Sequence, residues 1–116
     1  MKKYNKYGNS KVIVDGFKFD SKKESKRYQD LRILLKAGKI ENLELQPRFL
    51  LQEKFIFAGK AHRKIEYIAD FQYLDIERKI IIIEDVKGFK TEVYKIKKKL
   101  LLMQLAGFTK YEFNEL

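Results

Sequence analysis

The sequence predicts a single α/β domain with a central mixed sheet and a small hairpin near its N-terminus. A chain of 116 residues is the size of one domain, and its 45% hydrophobic content is that of a folded globular protein. Two segments have helical apolar spacing, and runs typical of strands, including four consecutive isoleucines, lie between and after them. We take residues 1–116 as the domain and expect residues 1–9 to form a loose basic N-terminal arm.

The elements are expected in the order hairpin, helix, three strands, helix and strand. The hairpin turns at Asp15-Gly16, a favoured pair in tight turns. Both helices begin at good N-cap residues and stop at glycines. The expected residues are 12–19 for the hairpin, 22–37 for the first helix, 43–52, 65–75 and 80–87 for the strands, 91–107 for the second helix and 111–116 for the last strand.

The first helix carries an acid that has two alternative roles. Ser21 is the N-cap, and Glu24 three residues later completes a capping box. The apolar stripe of the helix, which includes Tyr28 and Leu31, reaches Glu24 when it is extended back by one turn. Glu24 is therefore either a helix cap or an acid at the rim of the buried face, within reach of a site.

The region between the first helix and the isoleucine run leaves some choices open. Pro47 indicates an edge strand or a bend. Residues 53–57 either continue that strand or pair with it, and residues 59–64 are expected to form a loop. The inner stripe of the second helix is expected to consist of Val93, Ile96, Leu100 and Met103.

The charge points to a polyanionic partner. The net charge is +10 and the sequence pI is about 9.7, which favours nucleic acid over a membrane surface. Residues 40–86 nevertheless collect nine acids against seven bases. The absence of cysteine excludes disulfides and thiol chemistry, and no apolar run is long enough for a membrane span. No glycine-rich phosphate loop is present, so a nucleotide cofactor is not expected.

Two acids and a lysine form the candidate site. Alternation along a strand places Asp85 and Lys87 on one face and Glu84 on the other. Glu84 is a rival to Asp85 only if this parity is shifted by one residue. Fourteen residues separate Asp70, in the preceding strand, from Asp85, enough for one turn between antiparallel strands. The carboxylates of Asp70 and Asp85 are therefore expected side by side.

Two adjacent, partly buried carboxylates favour a divalent cation, because each resists ionisation next to the other. Mg²⁺ prefers oxygen ligands and commonly takes one or two carboxylates together with waters and phosphate. A lysine beside such a site can stabilise charge on a phosphate or steer the attacking water. This set of groups suits metal-assisted phosphodiester hydrolysis, although an acid-x-lysine sequence alone is far more often an ion pair on a solvated strand.

These residues, in this order, resemble the PD-(D/E)XK nuclease superfamily. The segments SKKESKRYQDL, YIADFQY and IEDVKGFKTEVYKIKKKL are similar to a family of small phage-encoded proteins in that superfamily, allied to Holliday-junction-resolvase-like endonucleases. The resemblance covers nearly the whole chain from about Ser10 and implies a restriction-endonuclease-like α-β-β-β-α-β core. The proline of the motif is absent, since Ala69 precedes Asp70.

The resemblance implies a metal-dependent DNA endonuclease of phage DNA metabolism, specific for branched or junction DNA. Asp70 and Asp85 correspond to the motif acids, Lys87 to the motif lysine and Glu24 to the acid of the first helix. Mg²⁺, with Mn²⁺ as a substitute, would bind Asp70, Asp85 and Glu24. The resemblance also implies 5′-phosphate and 3′-hydroxyl products and the cytoplasm of a bacterial host. With one active centre per chain, cutting both strands would need a homodimer.

Several further side chains are expected to contact DNA phosphates. They are Gln46, Lys90, Lys95, Lys97, Lys98 and Lys99. A solvated helix face is an equal alternative for each lysine. His62, the only histidine, is expected to be a surface-loop residue, and no strand shows an aromatic cluster typical of base stacking.

The alternative function is a non-catalytic nucleic-acid-binding phage protein that retains the nuclease fold. It would have the same basic surface without a working metal site. An RNA-binding module is a weaker alternative, because no RNA signature motif is present.

Overall fold

The computed structural model describes residues 11–116, so the expected N-terminal arm lies outside the described residues. Ten strands and two helices occupy the described part of the chain. They are β1 (Val12–Val14), β2 (Phe17–Phe19), α1 (Lys22–Lys36), β3 (Ile40–Leu45), β4 (Arg48–Gln52), β5 (Phe55–Phe57), β6 (Lys60–His62), β7 (Ile65–Ile68), β8 (Phe71–Asp75), β9 (Ile80–Asp85), α2 (Glu92–Leu105) and β10 (Tyr111–Glu115).

The N-terminal hairpin and both helices lie where the sequence predicts them. Strands β1 and β2 pair antiparallel around a two-residue turn. Ser21 caps α1, since its hydroxyl accepts a hydrogen bond from the backbone N–H of Glu24 at 3.1 Å. Thr91 caps α2 in the same way, with the N–H of Tyr94 at 3.0 Å. Neither helix in residues 11–116 is long and apolar enough to cross a membrane.

The central sheet is mixed, as predicted, and its strand order is β10-β9-β8-β3. Strand β8 pairs antiparallel with both β3 and β9. The chain then returns through α2, and β10 pairs parallel with β9. The isoleucine run forms β9, which is covered on both faces. Ile82 packs in the α1-side core with Leu31, and Ile83 packs in the α2-side core with Leu101. Double coverage explains why this strand is apolar at consecutive positions.

Between the helices the structure has seven strands rather than the three predicted, because two long strands are broken and a further hairpin, β5–β6, lies between them. Strands β3 and β4 are separated at Gln46-Pro47, where Gln46 has a φ of 51°. The bend expected at Pro47 is therefore confirmed. Strands β7 and β8 are separated at Ala69-Asp70, opposite that bend, and Ala69 N–H donates to the Pro47 carbonyl at 3.1 Å. Asp70 thus lies in a break, not in the middle of a strand.

The expected loop over residues 59–64 is wrong in part. Lys60–His62 form β6, which pairs antiparallel with Phe55–Phe57 of β5. The turn residues Ala58 and Gly59 both have positive φ values, 51° and 76°. These values suit a tight hairpin turn. The sequence does not indicate this turn, because alanine occupies a position where asparagine or glycine is usual.

The prediction of which residues form the inner stripe of α2 is also wrong. Val93, Ile96, Leu100 and Met103 are 62%, 61%, 37% and 67% exposed, whereas Leu101 is fully buried. The packed face instead consists of Tyr94, Leu101 and Leu105. Apolar residues occur on two faces of this helix, and Lys98 on the packed face lies over the ring of Phe113, 5.3 Å from its centroid. A lysine stem that covers apolar surface makes the true inner face look polar in the sequence.

Candidate active site

Asp70 and Asp85 meet where the break between β7 and β8 faces the end of β9. The backbone N–H of Asp70 donates to Asp85 Oδ1 at 3.1 Å. In return, the backbone N–H of Val86 donates to Asp70 Oδ2 at 2.6 Å. The same Asp70 N–H also donates to the backbone carbonyl of Glu84 at 3.0 Å, so this hydrogen bond is shared between two acceptors. The structure therefore brings the two acids together and holds them through the backbone.

Lys87 lies on the same side of the strand as Asp85. Its Nζ is 3.8 Å from Asp85 Oδ1 and 5.0 Å from the ring centroid of Tyr94. The carboxylate and the ring face both attract the ammonium group. The Lys87 side chain is 28% exposed, so its charge is anchored at the site but still accessible to a substrate.

Glu84 lies on the opposite face, so the predicted strand parity is correct. It is fully buried, and Arg27 of α1 donates to it from Nε at 2.8 Å and from a terminal nitrogen at 2.5 Å. The hydroxyl of Tyr73 also donates to Glu84. These bonds fully occupy the Glu84 carboxylate, which makes it a structural acid that joins α1 to the sheet.

A cavity of about 330 Å³ opens beside Asp70. Glu24 of α1 and Gln46 of the β3–β4 bend line it together with Asp70, and residues 16–19 of the hairpin form another part of its wall. Gln46 is held close because its backbone N–H donates to the Asp70 carbonyl at 2.9 Å. Glu24 is 5% exposed, so the structure buries it deeper than the rim position expected from its helix.

Burial raises the pKa of all three acids. The pKa of Glu24 rises to about 7, first through burial and then through the nearby charge of Asp70. The pKa of Asp85 rises to about 6 through burial, against the opposing effect of Lys87. Burial also raises the pKa of Asp70, while the hydrogen bond from the Val86 backbone opposes the rise. Negative charge is therefore costly at this site unless a cation accompanies it.

The carboxylates of this site are the candidate ligands for a divalent metal ion. Within residues 11–116, no group of three or more His, Cys, Asp or Glu side chains is arranged to hold a metal ion. Asp70 and Asp85 still offer two carboxylates that are each held by a backbone hydrogen bond from the other segment, and Asp85 Oδ2 is buried without a hydrogen-bond partner. A two-carboxylate site completed by water and phosphate is the usual arrangement for Mg²⁺, so these residues fit that ion. The expected role of Glu24 as a further ligand stays a prediction.

A family assignment follows from the whole sequence. The profile of a family described as “Protein of unknown function (DUF1064)” matches residues 4–114, nearly the entire chain. The chain belongs to the DUF1064 family. No curated protein and no solved structure matches this DUF1064 chain. Because the family description specifies no activity, the function of the DUF1064 protein has to be inferred from its site.

The lysines expected to contact DNA differ in their surroundings in this DUF1064 protein. Lys90 and Lys98 both pair with Glu115, at 2.9 Å and 3.2 Å. They connect β10 to the region around α2. Lys95 and Lys99 are exposed on α2, although Lys95 also pairs with its neighbour Glu92 at 3.1 Å. Lys97 is half-buried, so Lys95 and Lys99 are the better placed of the five for phosphate contacts.

Sequence reasoning missed Tyr94 and Glu115, which support the site. The Tyr94 hydroxyl donates to Glu115, and this bond, together with Lys90, lowers the pKa of Glu115 to about 2. Glu115 lies opposite Asp85 in the parallel β9–β10 register. No local sequence pattern indicates that contact, because the register of a parallel pair depends on the crossover helix between its strands.

Proposed function

We propose that this chain is a metal-dependent DNA endonuclease of the PD-(D/E)XK superfamily. The observation that carries the proposal is the meeting of Asp70, Asp85 and Lys87: a half-buried acid and a fully buried acid that are hydrogen-bonded through the backbone, and an ammonium group 3.8 Å from the second acid. The acids come from different strands and are far apart in the chain. An arrangement of this kind costs stability, and functional sites are where such costs are usually found.

The order of elements supports the restriction-endonuclease-like core that the resemblance implies. If the two broken strands are each counted once and the β5–β6 hairpin is taken as an insertion, α1 is followed by β3–β4, β7–β8 and β9, then by α2 and β10. This is the α-β-β-β-α-β order. In the sheet order β10-β9-β8-β3 the acids lie at the ends of two neighbouring central strands, with Asp70 just before β8 and Asp85 at the end of β9.

Asp70 and Asp85 would hold Mg²⁺, with Mn²⁺ as a substitute. When bound, the metal supplies a Lewis acid for the phosphate and lowers the pKa of a bound water. Glu24 faces the same cavity as Asp70 and is suited to act through water. Gln46 is close enough to Asp70 to contact a phosphate that enters the cavity.

Lys87 stabilises the negative charge that develops on the scissile phosphate. Its position between Asp85 and the Tyr94 ring restricts the long side chain, so less conformational entropy is lost when it meets the phosphate. The exposed lysines of α2 and the net charge of +10 favour DNA as the substrate. The implied setting is phage DNA metabolism in the cytoplasm of a bacterial host, with a homodimer cutting the two strands.

Cleavage of a panel of branched and linear DNAs with Mg²⁺ tests the proposal. We expect Asp70→Ala and Lys87→Ala each to lower the cleavage rate by on the order of 10²–10³ while DNA binding is retained. Asp30→Ala and Lys36→Ala remove the same charges from α1 outside the site, where the Asp30 side chain is 41% exposed and Lys36 is exposed, and both should cut like the parent. Equal cutting by all five proteins would show that the activity belongs to a contaminant or to another site.

A non-catalytic DNA-binding protein that retains the fold is the second candidate. The absence of a three-ligand metal group within residues 11–116 favours it. It predicts equal DNA binding in EDTA and in Mg²⁺, with no cutting of supercoiled, branched or flapped DNA. Metal-dependent cutting that is lost in Asp70→Ala would exclude it.

A further inference from the structure

The β5–β6 ribbon presents apolar side chains to solvent at its tip. Ile56 and Phe57 are 75% and 71% exposed, and Phe55 is 45% exposed. Strands β5 and β6 make their main contacts with each other. The ribbon therefore projects from the domain, and its tip residues have no role in either core.

One face of the ribbon is aromatic. Phe55 and Phe57 lie on the same face because strand side chains alternate. Phe55 stacks on its cross-strand partner His62, with ring centroids 4.7 Å apart and planes 9° from parallel. Phe57 lies opposite Lys60 and has no stacking partner among the described residues. This face thus carries the stacked pair of Phe55 and His62, followed by the unstacked ring of Phe57 beside Lys60.

The base of the ribbon is cationic. Lys54, Arg63 and Lys64 line a groove of about 600 Å³ there, together with two acids. In the part of the chain that the structure describes, Lys54 and Arg63 form no ion pair, whereas Lys64 pairs with Glu66 at 3.4 Å. An apolar tip above unpaired cations matches a nucleic acid, which has stackable bases inside a charged backbone.

We propose that this ribbon binds DNA at a branch point, with Phe57 stacking on an unpaired base and Lys60 contacting the adjacent phosphate. The proposal rests on DNA as the substrate of the proposed endonuclease and specifies its class: DNA that carries unpaired or readily unstacked bases. The ribbon continues through β7 to Asp70, and ten extended residues from Lys60 span at most about 35 Å. The stacked base and the cut phosphate would thus lie within about one turn of duplex.

Binding to a fork with unpaired arms and to a fully paired duplex of the same sequence tests this inference. Fluorescence anisotropy in EDTA at fixed salt excludes cleavage from the result. We expect Phe57→Ser to weaken fork binding on the order of tenfold and to leave duplex binding within about twofold of the parent. Phe108→Ser, at a residue that is 64% exposed beyond α2, is the matched control and should bind both DNAs like the parent. A 5-iododeoxyuridine placed in the unpaired arm at the branch should photo-cross-link to Phe57.

The inference is overturned if Phe57→Ser binds the fork like the parent, if it loses fork and duplex binding equally, or if the parent does not prefer the fork. It is also overturned if the chain self-associates and Phe57→Ser alone dissociates it, because the tip would then bind a second copy. A parent that prefers the fork but cuts nothing in Mg²⁺ refutes the endonuclease and leaves the ribbon proposal standing. A parent that cuts DNA, with unchanged affinity in Phe57→Ser, refutes the ribbon alone.

Discussion

Glu84 and Asp85 are consecutive acids that are both fully buried, yet their surroundings differ. Arg27 and Tyr73 satisfy the Glu84 carboxylate, which therefore stabilises the junction of α1 and β9. Asp85 receives one backbone hydrogen bond on Oδ1, and its Oδ2 has no partner within residues 11–116. An unsatisfied buried oxygen is costly. The cost is understandable if Asp85 is kept for a ligand rather than for the fold.

The raised pKa values of Asp85 and Glu24 predict a pH dependence of stability. Asp85 shifts from 3.8 to about 6, and Glu24 shifts from 4.5 to about 7. Between the ordinary and the raised values the folded state binds more protons than the unfolded state, so stability falls as pH rises through this window. In EDTA we therefore expect a higher thermal unfolding midpoint at pH 5.5 than at pH 7.5.

Matched variants isolate these acids in the thermal unfolding measurement. Asp85→Asn removes one of the two titrations and should reduce the difference in midpoint between the two pH values. Adding Mn²⁺ at pH 7.5 should raise the midpoint of the parent but not that of Asp85→Asn. An unchanged pH difference in Asp85→Asn would mean that the burial of this carboxyl does not control the effect.

At the scale of elements, the inner face of α2 is the one that packs against the sheet. Leu101 is fully buried and its neighbour Leu100 is 37% exposed. We expect Leu101→Ala to lower the free energy of unfolding by about 2–5 kcal/mol, because it leaves a cavity beside Ile83. Leu100→Ala should cost about 1 kcal/mol or less. Urea unfolding measures both, and equal losses would contradict the packed face described above.

Elements whose limits depend on local signals could be predicted from the sequence. Ser21 and Thr91 mark the helix starts because an N-cap acts within its own turn. The pairing of Asp85 with Lys87 follows from strand alternation alone. The bend at Pro47 could be predicted from the proline itself. The break at Asp70 could not, since it depends on a contact with the Pro47 segment across the sheet. The inner face of α2 likewise depends on the β4–β7 surface, which forms only in the folded chain.

The candidate site shows the same division between local and tertiary information. Sequence order and a family resemblance singled out Asp70, Asp85, Lys87 and Glu24. The cavity that Glu24 shares with Asp70, and the ring of Tyr94 near Lys87, depend on contacts between distant elements. The residue types therefore indicated the chemistry of the site. How deeply each acid is buried, and how many of them can bind one metal ion, could be known only from the folded structure.

On the scale of the whole molecule, the part of the chain that the structure describes, residues 11–116, is flat and extended. Its dimensions are 53 × 48 × 22 Å and its radius of gyration is 16.5 Å, against about 13 Å for a compact domain of this size. A thin molecule leaves much apolar surface uncovered. Part of that surface is the exposed stripe of α2, which consists of Val93, Ile96, Leu100 and Met103.

The spacing of this stripe favours a second copy of the chain as its partner. The intervals between these four residues are three, four and three, a series that is the same in both directions. Two antiparallel α2 helices would therefore place Ile96 against Leu100 and Val93 against Met103, and each of these contacts would occur twice in the interface. A two-fold interface requires this reciprocity. The proposed homodimer, which double-strand cutting needs, is therefore expected to form through α2.

Sedimentation equilibrium tests the dimer. We expect the parent to be a dimer at micromolar concentration and Ile96→Lys to be a monomer, because the new charge would be buried against the apolar Leu100 of the second copy. Ile33→Lys introduces the same charge at an equally exposed position of α1, 67% against 61%, and should remain dimeric. On supercoiled DNA with Mg²⁺, Ile96→Lys should then nick one strand where the parent cuts both. A parent that stays monomeric on branched DNA would mean that each chain acts alone, and double-strand cutting would have to come from two independent nicks.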